Sequence, residues 1–170
     1  MFNSLLYLLR YLTFLGNIFP QFLICCVLLY LDFSAGYKVG SIWFWGYALN
    51  LLIKNTVRKP RPPKSEWRVP HVNGHSFPSG HSLMSFVLYW SIVKYFLVPM
   101  PYAALLYALP FVLGISRLYL RVHFIEDVLC GWLIAFAYLY FFEASVLAFN
   151  GQFYEIFYKI CHISLFNQAN

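Results

Sequence analysis

Charge is what this chain has least of. Asp, Glu, Lys and Arg make up 11% of its 170 residues, against about 25% in an ordinary soluble domain. Acidic side chains are scarcer still: 6, against 12 Lys and Arg, for a formal net charge of +6. So little charge beside 61% hydrophobic residues excludes both a soluble enzyme and a disordered chain. Cysteine is sparse as well. Cys25, Cys26, Cys130 and Cys161 lie in or beside apolar runs at spacings that fit neither a metal site nor a redox pair. They read as small buried hydrophobes with free thiols, and a disulfide scaffold is excluded. Internal repeats and low-complexity tracts are absent. Met1–Gly16 lacks the basic start and small-residue cleavage site of a signal peptide, so this first apolar segment is expected to stay in the mature protein.

What the chain does have is apolar and aromatic. It carries 18 Phe, 14 Tyr and 5 Trp, and its mean hydropathy is +0.64. Phe suits a lipid-facing surface, Trp and Tyr the membrane–water boundary. The composition describes a polytopic membrane protein, a single all-α domain over residues 1–170 with five or six transmembrane helices. Apolar segments predict helices over 2–16, 19–33, 39–54, 80–98, 102–120 and 124–149. Each approaches the roughly 20 residues that span a hydrocarbon core of about 30 Å. Segment 2–16 is the shortest, and either spans or lies in the interface. Residues 55–78 differ in kind, with Pro60, Pro62, Pro63, Pro70 and Pro78 among repeated basic residues, and form a loop. Pro99 and Pro101 bracket a tight connection. Pro110 falls inside a helical run, where neighbouring membrane helices tolerate a kink. Beyond Gly151, the spacing of Phe153, Ile156, Phe157 and Ile160 predicts a further helix packed at the surface.

Helix alternation brings three polar segments to one face of this bundle. The first runs from Lys54 to Pro63, the second is Pro78-Ser79-Gly80-His81-Ser82, and the third runs from Ser116 to Asp127, followed by Gly131. Eight of the 12 basic residues fall there: Lys54, Arg58, Lys59, Arg61, Lys64, Arg68, Arg117 and Arg121. Because they gather at a membrane surface instead of covering a polar face, nucleic acid is not the expected partner. An anion is wanted, and phosphate fits the planar donor fork of arginine. Ser79-Gly80 opens a helix after a proline. Free amides at a helix start hold phosphate, and Gly80 permits close approach, though capping alone also accounts for Ser79. His123 and Asp127 are four apart at a helix start and share one face, which suits either a structural ion pair or an imidazole sharpened by its carboxylate. His81, at the anion-binding helix start, stands where a proton donor to a leaving oxygen belongs. With His71 and His75 it also raises a zinc reading. No HExxH pattern supports that reading, and the surrounding cations would repel a metal ion. His71, His75 and His162 then read as loop or surface residues.

Taken together, Lys-x6-Arg-Pro, Pro-Ser-Gly-His and Ser-Arg-x5-His-x3-Asp, complete and in order across residues 54–127, resemble the type 2 phosphatidic acid phosphatase family. Tyr119 and Gly131 extend the likeness. The resemblance implies a membrane lipid phosphatase without metal or cofactor. Lys54, Arg61 and Arg117 would clamp the phosphate, with Ser79 and Gly80 completing the cradle. His123 would be the nucleophile that forms a phosphohistidine, Asp127 its orienting acid and His81 the general acid. Related bacterial enzymes act on lipid A at its 1-position, on undecaprenyl pyrophosphate or on phosphatidylglycerol phosphate. Arg58, Lys59, Lys64 and Arg68 would serve a second phosphate of the substrate, which favours lipid A or a pyrophosphate over phosphatidic acid; contact with anionic headgroups is the simpler account of those charges. The loop from Lys64 to Phe77 is the expected selectivity element. The resemblance places the protein in a bacterial inner membrane with its site facing the periplasm. Without the three phosphate ligands, five basic residues remain on the site face against Arg10, Lys38, Lys94 and Lys159 elsewhere, so charge alone does not set sidedness. A non-catalytic transporter or binding protein for a phosphorylated lipid is the alternative. It would need the cations but not the histidine–aspartate set.

Overall fold

The computed structural model describes residues 7, 9–69 and 72–166, with backbone only at 152, 157 and 160–166. Residues 2–6 and 8 of the proposed segment 2–16, along with His71 and the side chain of His162, lie outside the described residues. A short helical stretch, Leu9–Gly16, ends in the 3-10 turn Thr13–Gly16 and meets the next helix at 58°. Six helices follow: α1 (Ile18–Leu31), α2 (Phe33–Val57), α3 (Gly80–Tyr95), α4 (Tyr102–Tyr119), α5 (Ile125–Phe141) and α6 (Glu143–Phe166).

Local chemistry sets the ends of these helices. Pro20 sits in the first turn of α1, where an amide would have no intrahelical partner. The Asp32 carboxylate caps α2 by accepting from the Ala35 amide at 2.9 Å. α2 stops at Arg58, which takes a left-handed conformation with φ 52°. Ser79 caps α3. At α5 the side chain of Asp127 reaches back to the Phe124 amide at 3.0 Å, tying off an otherwise free donor. Pro110 lies within the unbroken helix α4.

α3 is the axis of the bundle. It is buried on every side by α1, α2, α4 and α5, as expected of a helix that is apolar all round. Buried polar links fix its neighbours. Gln21 of α1 bonds Ser85 of α3 at 3.2 Å and accepts from Trp43 of α2 at 2.8 Å, while the Tyr138 hydroxyl of α5 donates to the Ile42 carbonyl at 2.8 Å. The outer faces of α1, α4 and α5 expose Phe19, Tyr30, Leu105, Ile115, Leu133 and Phe136, an apolar surface suited to lipid.

Two expectations are corrected. The single helix over 124–149 is broken at Phe142, where α5 and α6 meet at 53°. Glu143 is anchored at the break by Lys94, and the Tyr95 hydroxyl donates to it at 2.6 Å. The chain beyond Gly151 therefore continues α6. The helices are also less uniform in length than expected. Among the described residues α4 alone is long and apolar enough to cross a membrane by itself, and two bent pairs (Leu9–Gly16 with α1, and α5 with the start of α6) pass the same test together. α3, with 16 residues, is too short, and α2, with 25, carries Lys38, Asn50 and Lys54.

Candidate active site

The three polar segments meet at one end of α3. Backbone bonds close the assembly: the Ser79 amide donates to the Asp127 carbonyl at 2.9 Å, the Ser76 amide to Lys59 at 2.8 Å, and the Arg68 amide to Leu120 at 3.1 Å. Gly131 lets α5 approach. A Cβ there would stand 2.9 Å from the Ser82 Cβ and 3.0 Å from the Ser79 carbonyl oxygen.

His123 sits between α4 and α5, 5% exposed, with a different partner on each ring nitrogen. Arg61 Nη1 lies 2.9 Å from Nε2. A guanidinium only donates, so Nε2 carries the lone pair and Nδ1 the proton. Nδ1 faces Asp127 Oδ2 at 3.6 Å, with the Ser76 hydroxyl 3.3 Å away. Ser76 donates to that same Asp127 oxygen at 2.5 Å. Burial, helped by the charges of Arg61, Arg117 and Lys54 and opposed by the bond with Asp127, brings the His123 imidazole down to about 4. At neutral pH it is uncharged and its lone pair is available.

Asp127 is fully buried and has a partner on each oxygen. Lys59 Nζ meets Oδ1 at 2.7 Å, and also meets Glu126 at 2.7 Å. Burial alone would lower the Lys59 ammonium, but its bonds to Asp127 and Glu126 raise it above the ordinary lysine range.

The basic residues surround this pair. Arg61 donates to the carbonyls of Asn73, Gly74 and Val122 at 2.9–3.0 Å. Burial pulls its guanidinium down from the usual range and Asp127 offsets part of that, leaving it a cation. Lys54 Nζ donates to the carbonyls of His75 at 3.0 Å and Pro78 at 2.6 Å. Of its three donors, one remains. The Ser79 hydroxyl oxygen accepts from the Ser82 amide at 3.4 Å and from the Ser82 hydroxyl at 2.9 Å. It caps α3 and keeps its own proton to donate. Arg117 and His81 line a cavity of about 400 Å³ together with Arg10, Thr13, Asn17 and Asn73. Arg117 Nε and His81 Nε2 are buried there without a partner among the described residues.

The four residues expected to meet a second phosphate are placed differently from one another. Lys59 is turned inward to Asp127 and Glu126, a correction to that expectation: a buried carboxylate competes for the ammonium better than a solvated site does. Arg58 is exposed and donates to the Asn55 carbonyl at 2.8 Å. Arg68 lies over the Tyr119 ring at 4.7 Å. Lys64 is exposed and lines a second cavity with Arg61, Trp67 and Gly74. Among the described residues no three His, Cys, Asp or Glu side chains are grouped as metal ligands.

Sequence reasoning missed Ser76, Thr13 and Asn50. Asn50 is buried one turn before Lys54, with Oδ1 unpartnered, and its amide faces Gly80. Its spacing of four from Lys54 was the available signal. Ser76 and Thr13 offered none.

An all-helical membrane bundle that gathers a histidine–aspartate pair and three cations at one end of its central helix has the architecture of a membrane phosphatase. The chain belongs to the PAP2 superfamily, whose model matches residues 35–150. It is 37% identical over 93 residues to phosphatidylglycerophosphatase B of Bacillus subtilis (strain 168), a match covering 49% of this chain and 44% of that relative. The matched stretch is thus less than half of the relative's length. Two solved structures share the fold. One is a transmembrane PAP2-type phosphatidylglycerolphosphate phosphatase from Bacillus subtilis, with a TM-score of 0.67 and 25% identity, covering 88% of this chain and 78% of the other. The second is LpxE of Aquifex aeolicus, with a TM-score of 0.69 and 24% identity, covering 78% and 81%.

Proposed function

We propose that this chain is a lipid phosphate phosphatase that works through a phosphohistidine on His123. The observation that carries the reading is the two-sided hold on that imidazole. An uncharged Nε2 faces the cations, and Nδ1–H faces a carboxylate ready to stabilise the imidazolium form. In the first step the Nε2 lone pair attacks phosphorus. The bond from phosphorus to the lipid oxygen breaks, and His81 gives that oxygen a proton. In the second step water attacks phosphorus, gives a proton to His81, and breaks the P–N bond to release inorganic phosphate. Lys54, Arg61 and Arg117, with the Ser79 hydroxyl and the Gly80 amide, would hold the three equatorial oxygens, where charge stabilisation counts most. Lys59 and Ser76 hold Asp127. A donor set this cationic suits an anion held without a bridging metal.

Lipid A 1-phosphate, undecaprenyl pyrophosphate and phosphatidylglycerol phosphate are the substrates in view. The name of the Bacillus subtilis relative favours the third. The inward turn of Lys59 removes one of the four charges that favoured a second phosphate. The site is assigned to the periplasmic side of a bacterial inner membrane, following the family resemblance. The test is phosphate release from these lipids and phosphatidic acid by pure protein in micelles with EDTA present, with His123→Ala as control. Release that persists in EDTA and vanishes in the variant supports the reading. Release abolished by EDTA would point to a metal, and release from no lipid would favour a binding or transport protein.

A further inference from the structure

Arg117 is held from a direction that the three motifs leave out. Its Nη1 donates to Thr13 Oγ1 at 3.0 Å, 104 positions earlier in the chain. Thr13 opens the turn Thr13–Gly16, ahead of the family-matched region 35–150. Both side chains are out of solvent, Arg117 4% exposed and Thr13 8%. The Ser116 hydroxyl lies 3.4 Å from Thr13 Oγ1 and gives its proton to the Leu113 carbonyl at 2.7 Å. The guanidinium only donates, so the Thr13 hydroxyl oxygen is the acceptor of the Arg117 bond.

This bond decides which edge of the guanidinium is free. Five N–H donors lie in its plane. With Nη1 engaged, the edge carrying Nε remains, and Nε is buried without an acceptor among the described residues. An orphan donor so deep is unfavourable unless a ligand supplies its acceptor, and Arg117 and Thr13 line the same cavity as His81. The far end of the turn touches the site as well. A Cβ on Gly16 would stand 2.4 Å from Cδ2 of His81, so the turn Thr13–Gly16 lies against the proton donor and the anion clamp together.

We infer that Thr13 is a positioning residue: its hydroxyl fixes the rotation of the Arg117 guanidinium so that the Nε edge is presented to the cavity as a two-pronged donor for one edge of a phosphate. The inference rests on the phosphatase reading above. Thr13→Val keeps the shape and removes the hydroxyl, and Thr13→Ser keeps the hydroxyl. kcat/KM on the best lipid phosphate and inhibition by orthovanadate are measured for the full chain. Thr13→Val is expected to lose about 10–100-fold in kcat/KM, the range for a hydrogen bond to a charged group, and to weaken vanadate inhibition in parallel. Thr13→Ser stays within about threefold of wild type. In an Arg117→Ala background Thr13→Val changes kcat/KM by less than about twofold, since the two residues act as one unit. Thr13→Ala is read in the same way should the valine variant not fold. Wild-type activity in Thr13→Val, an equal loss in Thr13→Ser, or additive losses with Arg117→Ala would each overturn the inference while leaving the phosphatase reading standing. Absence of phosphate release by the wild type would overturn both.

Discussion

Arg61 Nη1 sits 2.9 Å from Nε2 of His123, on the lone pair that the proposed mechanism directs at phosphorus. The guanidinium fixes the tautomer of the nucleophile and also covers it. Under the proposed mechanism an incoming phosphate would have to draw Arg61 onto its own oxygens to uncover Nε2. Arg61→Ala is expected to lower kcat/KM by about 10²–10³, the range for loss of one oxyanion donor. Arg61→Lys should recover little of it, because a point charge cannot replace a planar fork. Steady-state phosphate release from micellar substrate checks both.

His123 is held down to about 4, below the ordinary value of about 6.5. Its folded-state pKa is the lower, so between these values the unfolded chain binds the proton and the folded protein does not. Stability from this group is complete above about pH 6.5 and falls as pH drops toward 4, by about 3 kcal/mol at most. Imidazole nitrogen NMR should show one histidine titrating near pH 4. That titration moves upward in Arg61→Ala, where a neighbouring cation is gone. A midpoint near 6.5 in the wild type would refute the assignment.

Ser76 is fully buried, and its hydroxyl donates to the Asp127 oxygen that faces His123. Ser76→Ala removes one of the donors that hold the carboxylate. A hydrogen bond to a charged group is worth about 1.5–3 kcal/mol, which places the loss in kcat at about 10–100-fold with KM little changed. The ratio of the two parameters, measured on one lipid, is the test.

Lys59 and Lys64 are neighbours in the loop with opposite orientations. Lys59→Met should reduce kcat on every lipid alike, because it disturbs Asp127. Lys64→Met should leave kcat intact and raise KM only for lipids that bear a second phosphate. A panel of singly and doubly phosphorylated lipids separates the two patterns.

Gly131→Ala would press a methyl group against Ser82 and the Ser79 carbonyl. Overpacking at such a seam costs about 1–3 kcal/mol, and the strain falls on the start of α3. Both thermal stability and phosphate release should drop, whereas alanine at Gly151, where a Cβ meets nothing within 4 Å, should change neither.

The legible part of this site was written in residue type and spacing. A lysine, two arginines, two histidines and an aspartate at fixed intervals can be found without coordinates. Ser76 and Thr13 are ordinary residues whose importance comes from partners 51 and 104 positions away, and a sequence carries no mark of such pairings. The break at Phe142 was hidden in a different way. Phe141 and Phe142 keep the segment apolar, and the sole sign was Glu143, a charge whose partners Lys94 and Tyr95 lie on another helix. Lys59 was misplaced because a loop lysine beside arginines looks solvent-facing until the buried carboxylate across from it is known.

The shortness of α3 sets a depth. At about 1.5 Å per residue, its 16 residues reach about 24 Å, less than a hydrocarbon core of about 30 Å. If Lys94, exposed at one end, sits at one headgroup layer, the Gly80 end stops about one helical turn short of the other. The proposed site would then lie below the membrane surface. A lipid whose tails stay among its neighbours would offer its phosphate near that level, whereas a water-soluble phosphate ester would have to leave bulk water to reach it.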